Sequence, residues 1–261
     1  MASRPATLVM LLGLAACGGP NDATLISELR VVAAVADPPQ VLPGEPYLLT
    51  ATIADPEELG ADWSIWTCIP EADELELPPG LTGLKLPELE PGCIAVDGVL
   101  NGEEVQAPLI GLPFPVYVMA CNPGRCDLPG VTEAQRQDPD AWLQELPFSG
   151  VAVGQRFPRL LDPGSGEEPG TNPVVESAEG LEDPVKREAE VTLTFVVPGA
   201  TRAFGYTTAG GFTMTDTDVG RDGDTELVWV APETSGDARL YVVFSDEEGG
   251  TAVWTADVEV K

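Results

Sequence analysis

Apolar and polar residues alternate with a period of two through much of the chain, most regularly at its C-terminal end. Leu240, Val242 and Phe244 fall on one face of an extended segment, and Asp246-Glu247-Glu248-Gly249-Gly250 makes a loop. Ala252, Trp254, Ala256, Val258 and Val260 then fall inward, while Thr251, Thr255, Asp257 and Glu259 face water. This spacing predicts a strand pair, because a helix repeats its apolar face at about 3.6 residues. Over 188–197, Ala189, Val191, Leu193 and Phe195 likewise oppose Glu190, Thr192 and Thr194. Further strands are predicted at 203–207 and 226–231.

The N-terminal half carries shorter runs, at 29–35, 47–54, 63–68, 93–99, 104–110, 115–121 and 150–154. Asp37-Pro38-Pro39, Pro43-Gly44-Glu45-Pro46 and Asp55-Pro56 separate the first of them. Short strands bounded by Pro, Gly and Asp predict an antiparallel β-sandwich. Residues 116–120 are the most apolar run and are expected at the centre of a sheet. Residues 132–145 are the best helix candidate, with Thr132 as cap and Trp142-Leu143 as packing face, and Pro139 keeps it short or broken. Residues 69–92 are acidic and rich in Pro and Leu, and read as a long connection. The Gly, Pro, Ser and Glu content of 161–170 reads as a linker. The expected fold is therefore all-β, with one domain over 29–160, carrying the acidic, Pro-rich insertion, and a second over 171–261.

The pattern changes at the N-terminus. Arg4 precedes an apolar run over 6–14, and Leu14-Ala15-Ala16-Cys17 is followed by Gly18-Gly19-Pro20. A positive start, a short apolar run and small residues at the cut have the form of a secretory signal. The run is too short to span a hydrocarbon core, which takes about 20 residues of helix. Leu14-Ala15-Ala16-Cys17 resembles the lipobox of a bacterial lipoprotein. The resemblance implies that residues 1–16 are removed as a signal peptide and that Cys17 carries lipid, with Gly18 pointing to the outer membrane. Residues 17–28 are expected to be a lipidated tether. At ~3.6 Å per residue its polar part reaches roughly 35 Å, which would hold the first domain near the bilayer and leave the second reaching outward.

The order Leu29-Arg30-Val31, Asp37-Pro38-Pro39, Pro43-Gly44-Glu45 and Trp66-Thr67-Cys68 resembles the start of myxobacterial-type envelope lipoproteins with Ig-like domains. Trp229, Ala231-Pro232, Gly236, Leu240, Asp246, Gly249-Gly250 and Trp254 resemble their closing half. The resemblance covers both ends of the mature chain and leaves roughly 70–185 uncovered. It implies two Ig-like antiparallel β-sandwich domains in tandem, and no assigned activity.

The chain has 261 residues and a formal charge of −30, from 13 Lys+Arg against 43 Asp+Glu. Such a surface repels nucleic acid and anionic lipid heads, so neither is an expected partner. The membrane contact would run through the lipid on Cys17, and the ligand would be a protein or polysaccharide. Hydrophobic residues make up 43% of the chain, enough to fill sandwich cores despite the charge. Cys68, Cys93, Cys121 and Cys126 remain after Cys17, an even number in an oxidising compartment. The expected pairs are Cys68–Cys93 and Cys121–Cys126, the latter closing over the turn-forming Asn122-Pro123-Gly124-Arg125. A zinc site of four thiolates is the rival, although only Cys121 and Cys126 are closely spaced.

The chain contains no His, which removes Ser-His-Asp and Cys-His catalysis. Its Lys residues are Lys85, Lys186 and Lys261, none in an S-x-x-K setting. No enzymatic activity is expected; the alternative is a secreted hydrolase working through paired carboxylates. The remaining candidate site is acidic: Asp216, Asp218, Asp222, Asp224 and Glu226 alternate around Gly220 and Gly223. Ca²⁺ takes six to eight oxygens from such residues on a turning backbone. The spacing departs from an EF-hand, since position three from Asp218 is Gly220 and position twelve is Trp229. A plain acidic loop between two strands is the other reading. Trp63, Trp66, Trp229 and Trp254 lie on strand patterns, which assigns them to core packing ahead of a carbohydrate-stacking surface.

Overall fold

The computed structural model describes residues 22–69, 92–96, 103–106, 116–123, 151–156, 158–182 and 184–261. Cys17 and the expected signal peptide, Cys126 and the expected helix at 132–145 lie outside these residues.

The first unit is built from β1 (Arg30–Asp37), β2 (Gln40–Val41), β3 (Pro46–Ala54), β4 (Asp62–Ile69), β5 (Gly92–Val96), β6 (Glu103–Gln106), β7 (Val116–Cys121), β8 (Val151–Arg156) and β9 (Arg159–Leu160). One sheet has the order β1-β3-β6 and a second β5-β4-β7-β8, both antiparallel, and β2 pairs with β9 in parallel. In immunoglobulin terms this is A-B-E facing C′-C-F-G. Ala36, Tyr47 and Leu49 of one sheet meet Val116 and Val118 of the other in a buried cluster. The apolar run at 116–120 forms an inner strand because it is buried. Pro43-Gly44 turns the chain into β3: Glu45 N–H donates to Leu42 O at 3.0 Å, and Gly44 sits at φ 82°, the left-handed position such a turn reserves for glycine.

The second unit comprises β10 (Ser177–Glu179), β11 (Glu190–Val196), β12 (Arg202–Thr207), β13 (Gly211–Phe212), β14 (Asp216–Asp218), β15 (Asp224–Val230), β16 (Gly236–Ser245) and β17 (Thr251–Val260). Its sheets run β10-β11-β15-β13 and β14-β12-β16-β17. With β10, β11, β12, β15, β16 and β17 as A, B, C, E, F and G, the sheets are A-B-E and C-F-G, each with one short added strand, so both units are Ig-like sandwiches. The predicted alternation is what fills the core. Leu193, Phe195 and Trp229 come from one sheet, and Leu240, Val242 and Phe244 from the other. Phe195 packs edge-on against Phe244 at 5.3 Å and Trp254 at 5.1 Å between ring centroids. Trp229 is fully buried, and its indole N–H donates to Ala209 O at 3.1 Å, which satisfies the polar atom such a ring carries inward.

Between the two sheets a glycine faces an aromatic ring. A Cβ on Gly205 would lie 2.7 Å from Cγ of Phe212.

Thr251 departs from the predicted pattern. It is buried, and its N–H donates to Asn172 Oδ1 at 2.9 Å. Asn172 reaches the other way too, donating through Nδ2 to Ala36 O at 2.8 Å. A residue just past the expected linker thus joins the top of β1 to the start of β17. Gln40 adds a second link at this end, donating to Glu248 Oε2 at 3.2 Å and accepting from Gly170 N–H at 3.3 Å. Residues 162–169 are exposed as a linker should be, but Leu161 is buried and its N–H bonds to Val41 O.

The expected free tether differs more. Residues 22–24 form one 3-10 turn, and Thr24 and Ile26 are buried. Ile26 packs with Ala54 of the first sandwich and Tyr241 of the second, flanked by Val32 and Tyr206. The Arg30 guanidinium lies 4.6 Å above the Tyr206 ring. The polar look of 18–27 conceals Ile26 because the Leu25-Ile26 pair is too short to produce periodicity. The two sandwiches therefore touch at both ends of β1, and the second does not hang from a loose linker.

Tyr241 titrates within this seam. Burial pushes its phenol pKa up; Asp257 and Asp55 add to the push, and Arg239 opposes it. A raised folded value means that the contribution to stability is complete below the unfolded tyrosine pKa of about 10 and is lost as pH rises through the folded value.

Two expectations follow from this packing. Gly205→Ala should destabilise the protein by about 1–3 kcal/mol through overpacking, read from the denaturant midpoint, and Phe212→Leu in the same chain should restore part of the loss. In pH-dependent unfolding, wild type should lose stability above pH ~10 more steeply than Tyr241→Phe; parallel curves would remove Tyr241 from the seam's energetics.

Candidate functional site

The acidic residues singled out in the sequence occupy the corner where the chain passes from one sheet of the second sandwich to the other. Asp216 and Asp218 lie on β14, which pairs with β12 in one sheet. Asp224 and Glu226 lie on β15, which pairs with β11 in the facing sheet. Asp222 lies in the turn between them, which backbone bonds close: Gly220 N–H donates to Asp224 O at 2.8 Å, and Gly223 N–H to Gly220 O at 2.9 Å. Gly223 is at φ 88°, with a notional Cβ 2.8 Å from the backbone of Val197 and Pro198, so the corner is held tightly.

The corner does not bring the five carboxylates together. Asp216 is half-buried and forms an ion pair with Arg202, and Thr215 Oγ1 donates to its Oδ1 at 3.2 Å. Asp218, Asp222, Asp224 and Glu226 are exposed, while Thr225 between the last two points into the core. Strand alternation accounts for this: Asp224 and Glu226 share the outer face of their sheet, and β14 belongs to the other sheet. Among the described residues, no group of three or more His, Cys, Asp or Glu side chains is placed to hold a metal ion. Spacing along the chain suggested a ligand set; the change of sheet between β14 and β15, which composition does not reveal, separates its members.

The cysteines are better placed. Cys68 on β4 and Cys93 on β5 are direct Cα partners in the antiparallel register. Residues opposed in this way have Cα atoms about 4.5–5.5 Å apart, inside the range a disulfide spans. Cys121 ends β7 and is disulfide-bonded. Its neighbour Asn122 is buried, and its Nδ2 donates to Gly60 O at 3.1 Å.

An open cleft of about 290 Å³ lies at the end of the second sandwich, between Thr171–Glu176, Pro198–Gly199 and Asp246. It contains two carboxylates, Glu176 and Asp246, the pairing a hydrolase would need. Asp246 is already engaged: its Oδ1 accepts from the N–H groups of Glu248 at 2.9 Å and Gly250 at 2.6 Å, which forms the β16–β17 turn. Elsewhere on the surface, Arg239 and Asp257 face each other across β16 and β17 and bond through Nη2–Oδ2 at 3.1 Å. Arg239 holds the Asp257 carboxyl below its usual range, with burial opposing; both side chains are mostly exposed, and such pairs contribute little.

Of the tryptophans, Trp229 is a core residue and Trp254 packs half-buried against Phe195. The side chains of Trp63 and Trp66 lie outside the described residues. Asn172, Thr24 and Ile26 carry contacts that sequence pattern did not mark; each lies in a stretch too short of apolar residues for periodicity to give a signal.

No protein-family model matches the chain, and no curated protein is similar to it in sequence. Among solved structures it is similar to the D0-D1 domain of intimin, at 12% identity over 88% of this chain and 98% of that one, with a TM-score of 0.28. The Yersinia pseudotuberculosis adhesin InvE aligns at 9% identity over 94% of this chain and 60% of its own, with a TM-score of 0.27. The Bacteroides ovatus mixed-linkage glucan utilization locus protein SGBP-B, in complex with a mixed-linkage heptasaccharide, aligns at 10% identity over 91% and 48%, with a TM-score of 0.22. Scores this low add nothing to the strand order described above.

Calcium titration by calorimetry is expected to give no saturable heat at millimolar Ca²⁺. A saturable heat that Asp218→Asn and Asp222→Asn abolish would restore the corner as a cation site.

Proposed function

We propose that the chain is a non-catalytic binding, adhesion or structural protein of the cell envelope, held at the outer membrane by lipid on Cys17. The observation that carries the non-catalytic reading is the packing: among the described residues, apolar side chains pack the cores of both sandwiches, and the cleft bearing two carboxylates is open, with one of them committed to a turn. A hydrolase of this kind needs both carboxylates free to act as acid and as base or nucleophile. The absence of His from the whole chain supports the same reading. The membrane part is supported by the lipobox-like Leu14-Ala15-Ala16-Cys17 and by the resemblance to myxobacterial-type envelope lipoproteins. An oxidising compartment fits the register of Cys68 and Cys93, and we assign the disulfides as Cys68–Cys93 and Cys121–Cys126. The ligand is a protein or polysaccharide, since a chain of charge −30 disfavours nucleic acid.

Expressed in a diderm host, the wild-type chain should fractionate with membranes and incorporate an acyl label. Cys17→Ser should be released as a folded, soluble protein whose non-reduced digest contains a Cys68–Cys93 linked peptide. A Cys17→Ser chain that stays in the membrane fraction would overturn the anchoring.

A further inference from the structure

The segment that follows the anchor does more than connect. Thr24 is fully buried, and its Oγ1 accepts from Phe212 N–H at 3.0 Å. Ile26 N–H donates to Thr207 O at 2.7 Å, and Leu25 bridges Thr207 in parallel. Phe212 belongs to β13 and Thr207 to β12, which lie in opposite sheets of the second sandwich. Along β12, β14 pairs only with Arg202, Ala203 and Phe204, so the N-terminal segment takes the next stretch of the same edge. One short piece of chain thus bonds to both sheets where the sandwich would otherwise be open. Ile26 then reaches Ala54 and Tyr241, and three residues later Leu29 is packed in the first sandwich with Ala120 and Ala152.

We propose that residues 22–26 are a strap belonging structurally to the second sandwich, so that the first sandwich is an insertion within the second. The chain passes between the units twice, once after Ile26 and once through 161–170. Asn172 and Gln40 fasten the far end of β1, and the strap with the Arg30–Tyr206 contact fastens the near end. The tandem moves as one body. A leash from Cys17 to Asp22 spans roughly 18 Å at most, at ~3.6 Å per residue. It leaves from the seam, so both sandwiches stand beside the bilayer and neither is the outward bead. This last consequence rests on the proposed lipidation; the strap itself does not.

Amide hydrogen exchange on the full chain tests the strap, and running it on Cys17→Ser as well separates a failed strap from a failed anchor. The Ile26 and Phe212 amides should be protected alongside β12 in both. Thr24→Ala should speed Phe212 exchange about tenfold, the effect of removing one buried acceptor, while Thr24→Ser keeps the protection and β3 and β7 are unchanged. An Ile26 amide that exchanges like free chain, or a Phe212 amide indifferent to Thr24→Ala, would overturn it. A protease site placed in the exposed 163–168 tests the coupling. After cleavage the two pieces should migrate together in gel filtration, and pieces that part would end the single-body model.

Discussion

Burial of one aromatic group between two facing sheets is the interaction on which the second sandwich depends. Phe195 meets Phe244 and Trp254 edge to face, in a core that also buries Trp229. Loss of one such ring costs about 3–5 kcal/mol in a core, against a domain stability of about 5–15 kcal/mol. The sheets must approach closely enough to close over these rings, which explains a Cβ-free residue opposite Phe212. The acidic residues then have one place to go. Alternation sends every second side chain outward, so the negative charge accumulates on the outer faces and the corners. Solvation of those faces fits the exposure of Asp218, Asp222, Asp224 and Glu226 at the acidic corner.

Legibility in the sequence followed the physics of repetition. Strands whose burial is shared by many residues were readable: the β16–β17 hairpin, β11, β12 and β15 coincide with predicted runs to within a few residues. Leu240, Val242 and Phe244 are all fully buried, as their spacing requires. Contacts made by single residues were not readable. Thr251 belonged to the polar face by its parity, yet Asn172 satisfies its backbone from a remote segment. Ile26 sits in a stretch too polar to suggest packing. The acidic candidates are a different case. Their spacing was real, but a sequence does not state that the chain changes sheets between Asp218 and Asp224.

The relation between the two sandwiches was misjudged for a related reason. Gly, Pro and Ser in 161–170 describe the local stiffness of a connection, and the exposed middle of that segment agrees with them. Whether the flanking units also touch depends on the faces they present. β1 brings Val32 and Arg30 to the outer face of the second sandwich, where Tyr206 and Tyr241 offer an apolar and aromatic surface. Two bodies with complementary faces on a short connection pack together however soluble the connection is.

The parallel bridge between Leu25 and Thr207 has a mechanical meaning. Chain that lies parallel to a strand and is drawn along it meets resistance from its bonds together, in shear, whereas chain peeled from an edge loses them in turn. Drag on the protein, transmitted through its N-terminus, would fall on β12, which β16 backs along its whole length. The load would enter at the second sandwich and bypass the one that comes first in the chain.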